Sequence, residues 1–123
     1  MEKGLEKIVE KAKKDPDVSA VILFGSYAKQ QPRPSSDIDV CLMLKPHKYT
    51  SLSMSKKKLE YLSLIPDKYD VQIFQQLPVF IKVRILKEGK FLLTKDYDAM
   101  FKVALDAIKE YDLFERHYLY CIK

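Results

Sequence analysis

The chain has 123 residues, 47% of them apolar and 32% charged, which is enough for one domain, expected over 1–123, to bury a core without disulfide or metal staples. Lysine and arginine outnumber acids by 22 to 17, giving a formal charge of +5 and a pI near 9.1; nucleotides, nucleic acid or an acidic partner are all permitted and none is selected. No run approaches the ~18 apolar residues of a membrane span, and the opening MEKGLEKIVEKAKK has no signal-peptide core, so a cytoplasmic protein without membrane contact is expected.

In chain order, Leu5, Ile8, Val9 and Ala12 fall on one face of a helix over residues 2–14, which Asp15-Pro16-Asp17 stops. A strand over Val18–Phe24 delivers Gly25-Ser26, and a short helix over Ser26–Gln31 is all that Pro32 and Pro34 allow. Lys29 and Arg33 are the nearest cations, Arg33 reading as an exposed loop residue. The next strand, Asp37–Leu44, places Asp37, Asp39, Cys41 and Met43 on one face and Ile38, Val40, Leu42 and Leu44 on the other. The aliphatic face belongs against helices, and the carboxylate face is expected to open toward a site. Cys41 reads as a buried thiol, and with only Cys121 elsewhere there is no zinc pattern. His47 has no partner at ligand spacing and reads as a loop residue.

A helix over Ser51–Leu64 is expected to bury Leu52, Leu59, Leu62 and Leu64. A strand over Tyr69–Phe74 again begins with an acid, Asp70, whereas Asp67 reads as a turn residue. Leu77-Pro78 starts an apolar helix that Gly89 ends, Phe91–Thr94 is a short edge strand, and Asp96 caps a long final helix from Tyr97. Its core stripe is expected to be Met100, Phe101, Ala104, Leu105, Ile108 and Tyr111. Beyond it, Leu113, Phe114, Tyr118, Leu119 and Tyr120 either pack back on the sheet, the favoured reading, or form a surface for another protein. Lys11, Lys13 and Lys14, and the run Lys56-Lys57-Lys58, read as solvated helix faces. They lack interleaved aromatics, so direct nucleic-acid recognition is not expected.

The chemistry concentrates at Val21–Val40, VILFGSYAKQQPRPSSDIDV. Asp37 and Asp39 share a strand face just beyond a glycine turn, and like charges so close call for something positive between them, usually a divalent metal. If the Asp37 and Asp70 strands run parallel through the helix between them, Asp37, Asp39 and Asp70 lie at one end of the sheet. The first strand must then run antiparallel to the second to bring Gly25-Ser26 there, where helix amides can face an anion.

Gly25-Ser26, ten residues, then Asp37-x-Asp39 resembles the signature of the DNA polymerase β nucleotidyltransferase superfamily, and Ser36-Asp37-Ile38-Asp39-Val40 is similar to its minimal nucleotidyltransferase branch. Against that branch's Gly-Ser-x-Ala-Arg-Gly, this chain has Lys29 for arginine and Gln30 for glycine, losing a bidentate phosphate grip and a freely turning residue. The resemblance implies an α+β fold, with a small mixed β-sheet of the polymerase β-like palm type packed against helices and a long C-terminal helix. It implies that Asp37, Asp39 and Asp70 hold two Mg2+ ions and that Gly25, Ser26 and Lys29 hold the triphosphate of ATP. Adenosine monophosphate would pass in line to a hydroxyl without a covalent enzyme intermediate. The branch acts as antitoxin to HEPN-type toxins, adenylylating a tyrosine, so a HEPN-type partner protein is expected. The alternative from Lys29 and Gln30 is a catalytically weak or silent module that neutralises its partner by binding.

Overall fold

The computed structural model describes residues 3–25 and 38–121. Helix α1 (Lys3–Lys14) turns Leu5, Ile8, Val9 and Ala12 inward, as their spacing requires. The chain continues as β1 (Val18–Phe24), β2 (Ile38–Leu44), α2 (Ser51–Leu62), β3 (Tyr69–Ile73), a 3-10 turn over Phe74–Gln76, α3 (Val79–Glu88), β4 (Lys90–Thr94) and α4 (Tyr97–Cys121). The sheet order is β3-β2-β1-β4. β1 is antiparallel to β2 and β4, and β2 is parallel to β3 through the α2 crossover, as the expected palm-type sheet requires.

Both faces of the sheet are covered. Val21, Leu23, Ile38, Val40, Leu42, Leu44, Val71 and Ile73 form one core with α1 and with Tyr61 of α2. Ala20, Ile22, Cys41 and Met43 form the other with Phe74, Ile85 of α3, and Met100, Val103, Ala104 and Ala107 of α4. The Asp39 face is therefore roofed by α3 and α4 from Cys41 onward. Its leading end, where Asp39 sits half-buried, lies ahead of that cover. Burial pushes the Cys41 thiol far up, so it stays protonated.

Three expectations for the helices are corrected. α2 ends at Leu62 and docks through Tyr61, Met54 and Leu62, leaving Leu52, Leu59 and Leu64 exposed. The core stripe of α4 is Met100, Val103, Ala104 and Ala107, while Phe101, Leu105 and Ile108 face solvent. The small Ala and Val side chains let the helix approach the sheet closely, and the larger Phe101, Leu105 and Ile108 of the expected stripe stay in solvent. Finally, Leu113, Phe114, Tyr118, Leu119 and Tyr120 do not fold back; α4 runs on through them and leaves all five exposed. The capping expectation holds, with the Ala99 amide donating to Asp96 Oδ1 at 3.1 Å.

The lysine run is also more than a solvated face. Lys57 Nζ donates to both Asp15 carboxylate oxygens at 3.1 and 3.0 Å and to Asp17 Oδ2 at 3.0 Å. The buried Tyr61 hydroxyl donates to Asp15 Oδ2 at 2.9 Å, so this cluster pins α2 against the α1–β1 turn. Lys95 reaches the same turn, donating to the Ala12 and Asp15 carbonyls at 2.8 and 2.6 Å. Burial alone would raise the Asp15 carboxyl, but hydrogen bonds from Lys57, the Asp17 amide and Tyr61, with the Lys57 charge, outweigh it and hold the group below the usual range. Burial likewise works against the Lys57 charge, and its partners Asp17 and Asp15 more than compensate, so Lys57 is raised.

A lowered carboxyl stabilises the fold above its unfolded value, near pH ~4, and the contribution fades as pH falls through the folded value; a raised lysine contributes until pH climbs past its own. Asp15→Ala is expected to cost roughly 3 kcal/mol at pH 7, since it leaves the buried Tyr61 hydroxyl without its acceptor and Lys57 with Asp17 alone. Urea unfolding should show the gap to the wild type narrowing as pH falls below about 4, where the unfolded carboxylate takes up a proton, and the ionic contribution lost once pH has passed the lower folded value.

Candidate active site

The site is assembled by strand register. The Ile38 amide donates to the Lys68 carbonyl at 2.7 Å as β2 begins, and from there Asp39 stands directly opposite Asp70 in the parallel β2–β3 pair. On its other side Asp39 is paired with Phe24 of β1. Paired residues on neighbouring strands share a face about 4.8 Å apart, so two carboxylates lie side by side at the end of the sheet where β1 finishes. Like charges directly opposite destabilise a sheet unless a positive group or donor lies between them.

Gly25 follows β1 with φ +78, a left-handed conformation that side-chain-bearing residues rarely adopt. A Cβ there would come within 2.5 Å of Asp39 Oδ2. The missing side chain is therefore what admits the Asp39 carboxylate beside the turn. Asp70, half-buried, accepts a hydrogen bond from Gln72 Nε2 at 2.8 Å, and Gln72 Oε1 accepts from Lys58 Nζ of α2 at 3.3 Å.

Of the six residues expected at the site, the structure brings Gly25, Asp39 and Asp70 together. Ser26, Lys29 and Asp37 lie outside the described residues, and among the described ones no group of three His, Cys, Asp or Glu side chains converges. Asp67 is in the turn before β3, and His47 is exposed with its ring edge-on to Tyr49; both are apart from the site. Gln72 and Lys58 were missed. Strand alternation carried the signal for Gln72, which shares the Asp70 face, but nothing local could show that α2 would bring Lys58 to it.

A family model described as "Polymerase beta, Nucleotidyltransferase" matches residues 6–98. The chain belongs to this family. The expected resemblance thus holds over most of the chain, and the matched segment contains β1, β2, β3 and the paired aspartates. A curated relative from Methanocaldococcus jannaschii, named a putative protein adenylyltransferase, is 38% identical over 76 residues, 61% of this chain and 55% of its own; the chain spans about half the length of that relative. Among solved structures, a toxin–antitoxin pair with AMP-PNP matches with TM-score 0.71 at 18% identity, over 97% of this chain and 93% of that one. The complex of a tri-AMPylated HEPN toxin with its MNT antitoxin from Shewanella oneidensis matches with TM-score 0.64 at 16% identity, over 96% and 89%. At such identities these structures speak for the polymerase β-like fold, which the mixed sheet and long C-terminal helix share.

Gly25→Ala is expected to destabilise the protein by about 1–2 kcal/mol through its positive φ and to displace the Asp39 carboxylate. Thermal melts and the carboxyl-carbon NMR signal of Asp39 read the two effects.

Proposed function

We propose that this protein is a Mg2+-dependent nucleotidyltransferase that moves adenosine monophosphate from ATP to a hydroxyl on a partner protein, as antitoxin to a HEPN-type toxin. The observation that carries this reading is the lateral pairing of Asp39 with Asp70 beside the Gly25 turn. Hard carboxylate oxygens crowded on one face, with a bare glycine against one of them, suit a small divalent cation. Asp39 and Asp70, with Asp37 from the sequence motif, would hold Mg2+. Bound there it would neutralise phosphoryl charge and acidify the attacking hydroxyl.

The chain's own contribution is placement. Gly25 turns the backbone beside Asp39, and Ser26 and Lys29, which follow it in sequence, are the residues assigned to the triphosphate, so the leaving pyrophosphate would part close to the aspartates. Asp70, on the neighbouring strand, would be the carboxylate to accept or relay the hydroxyl's proton. Positioning and electrostatics then supply the rate, and no side chain need be modified during transfer.

A protein acceptor accords with the relatives' printed descriptions, an adenylyltransferase and toxin–antitoxin complexes. It also accords with α4, whose exposed Phe101, Leu105, Ile108, Leu113 and Tyr118 are more apolar surface than an isolated helix face needs.

With labelled ATP, Mg2+ and a HEPN-type partner, Asp39→Asn and Asp70→Asn are each expected to reduce label transfer at least ~100-fold with the thermal midpoint nearly unchanged. Undiminished transfer would refute the assignment. Calorimetry with Mg-ATP adds a second check: a silent binding module gives no metal-dependent nucleotide heat.

A further inference from the structure

We infer that Gln72 and Lys58 form a positioning relay for Asp70, fixing which of its oxygens faces the reaction; this rests on the reading of Asp70 as a metal-binding carboxylate. The relay runs from Lys58 Nζ to Gln72 Oε1 at 3.3 Å and from Gln72 Nε2 to Asp70 Oδ2 at 2.8 Å. Its polarity is dictated by chemistry. An ammonium only donates and a carboxylate only accepts, so an amide between them has one satisfactory orientation, oxygen toward lysine and nitrogen toward aspartate. A side-chain amide that could otherwise flip is locked by charge at both ends.

The geometry makes this arrangement specific. Tyr69, Val71 and Ile73 enter the core beneath α1 and α2, so Asp70 and Gln72, at alternate positions, stand on the opposite face with Asp39. α2 buries Tyr61 in that first core, yet from the same helix Lys58 reaches Gln72 on the far face. β3 is an edge strand, and the lysine stem is long enough to pass around it. The consequence for Asp70 is that one lone pair of Oδ2 is occupied by the amide. The carboxylate plane is held, and Oδ1 would be the oxygen offered to a cation shared with Asp39. Polarisation along the relay also spreads some of the lysine's positive charge toward two carboxylates that repel each other. Gln72 does not touch substrate in this scheme; it acts through Asp70.

Outer partners of metal-binding side chains commonly change metal affinity or activity by about 10–100-fold when removed. Mn2+ can serve as the probe, its binding followed by electron paramagnetic resonance on the full chain without nucleotide. Gln72→Leu is expected to weaken Mn2+ about tenfold or more and to lower kcat for label transfer by a similar factor, with the KM for ATP within about twofold. Lys58→Met should do the same more weakly and should speed hydrogen exchange at the Gln72 side-chain amide, while Lys58→Arg, which keeps a donor, should restore both.

Asp70→Asn separates this inference from the reading beneath it. If Asp70→Asn abolishes Mn2+ binding and transfer while Gln72→Leu and Lys58→Met match the wild type in both, the relay is wrong and the site stands. If Asp70→Asn itself changes neither, both fail. Should Gln72→Leu fold poorly, Lys58→Met, a change on the helix surface, carries the decision alone: wild-type Mn2+ affinity and wild-type amide exchange would overturn the relay.

Discussion

Parallel pairing of β2 with β3 is the constraint on which the rest of the molecule depends. Two strands that each begin with an acid can present those acids together only if both start at the same end of the sheet, and a hairpin would have placed them a strand length apart. The cost is a crossover, and α2 supplies it. Antiparallel β1 then ends where β2 begins, so Gly25, the residue after Phe24, stands beside Asp39. Strand direction thus does what no single residue could: it turns three distant stretches of chain into one rim.

Once that topology is chosen, the two faces of the sheet take different tasks. The face of Ile38, Val40, Leu42 and Leu44 is apolar from end to end and is closed by α1 and α2. The other begins with Asp39 and becomes apolar at Cys41 and Met43, where α3 and α4 close it. A single strand therefore carries a polar end and a buried end on the same face, and the boundary between the carboxylate rim and the core falls within two residues, at the step from Asp39 to Cys41.

Much of this was legible in the sequence because it is written in short-range patterns. Strand alternation placed Asp39 and Asp70, and the acid at the head of each strand foretold their meeting. The glycine turn and the Asp96 cap were likewise local signals. What escaped was set by tertiary packing. Side-chain size misled in α4, where close approach to the sheet selected Val103 and Ala107 over Phe101, Leu105 and Ile108. In α2 four leucines suggested a face, but the cluster around Asp15 fixed the helix rotation and sent Tyr61 inward instead. Lys57 and Lys58 are adjacent in a run that looks like a solvated face, yet each has a separate partner more than ten residues away. Nothing in a one-dimensional reading assigns those partners.

The length of α4 has a consequence of its own. Its buried stripe ends at Ala107, but the helix continues to Cys121, about 20 Å further at 1.5 Å per residue. Those final turns contribute nothing to either core, so a protease nicking there would shorten the chain while leaving the sheet and its aspartates standing. A partner laid along that stretch would shield it, making the tail of the helix a natural reporter of whether the protein is alone or engaged.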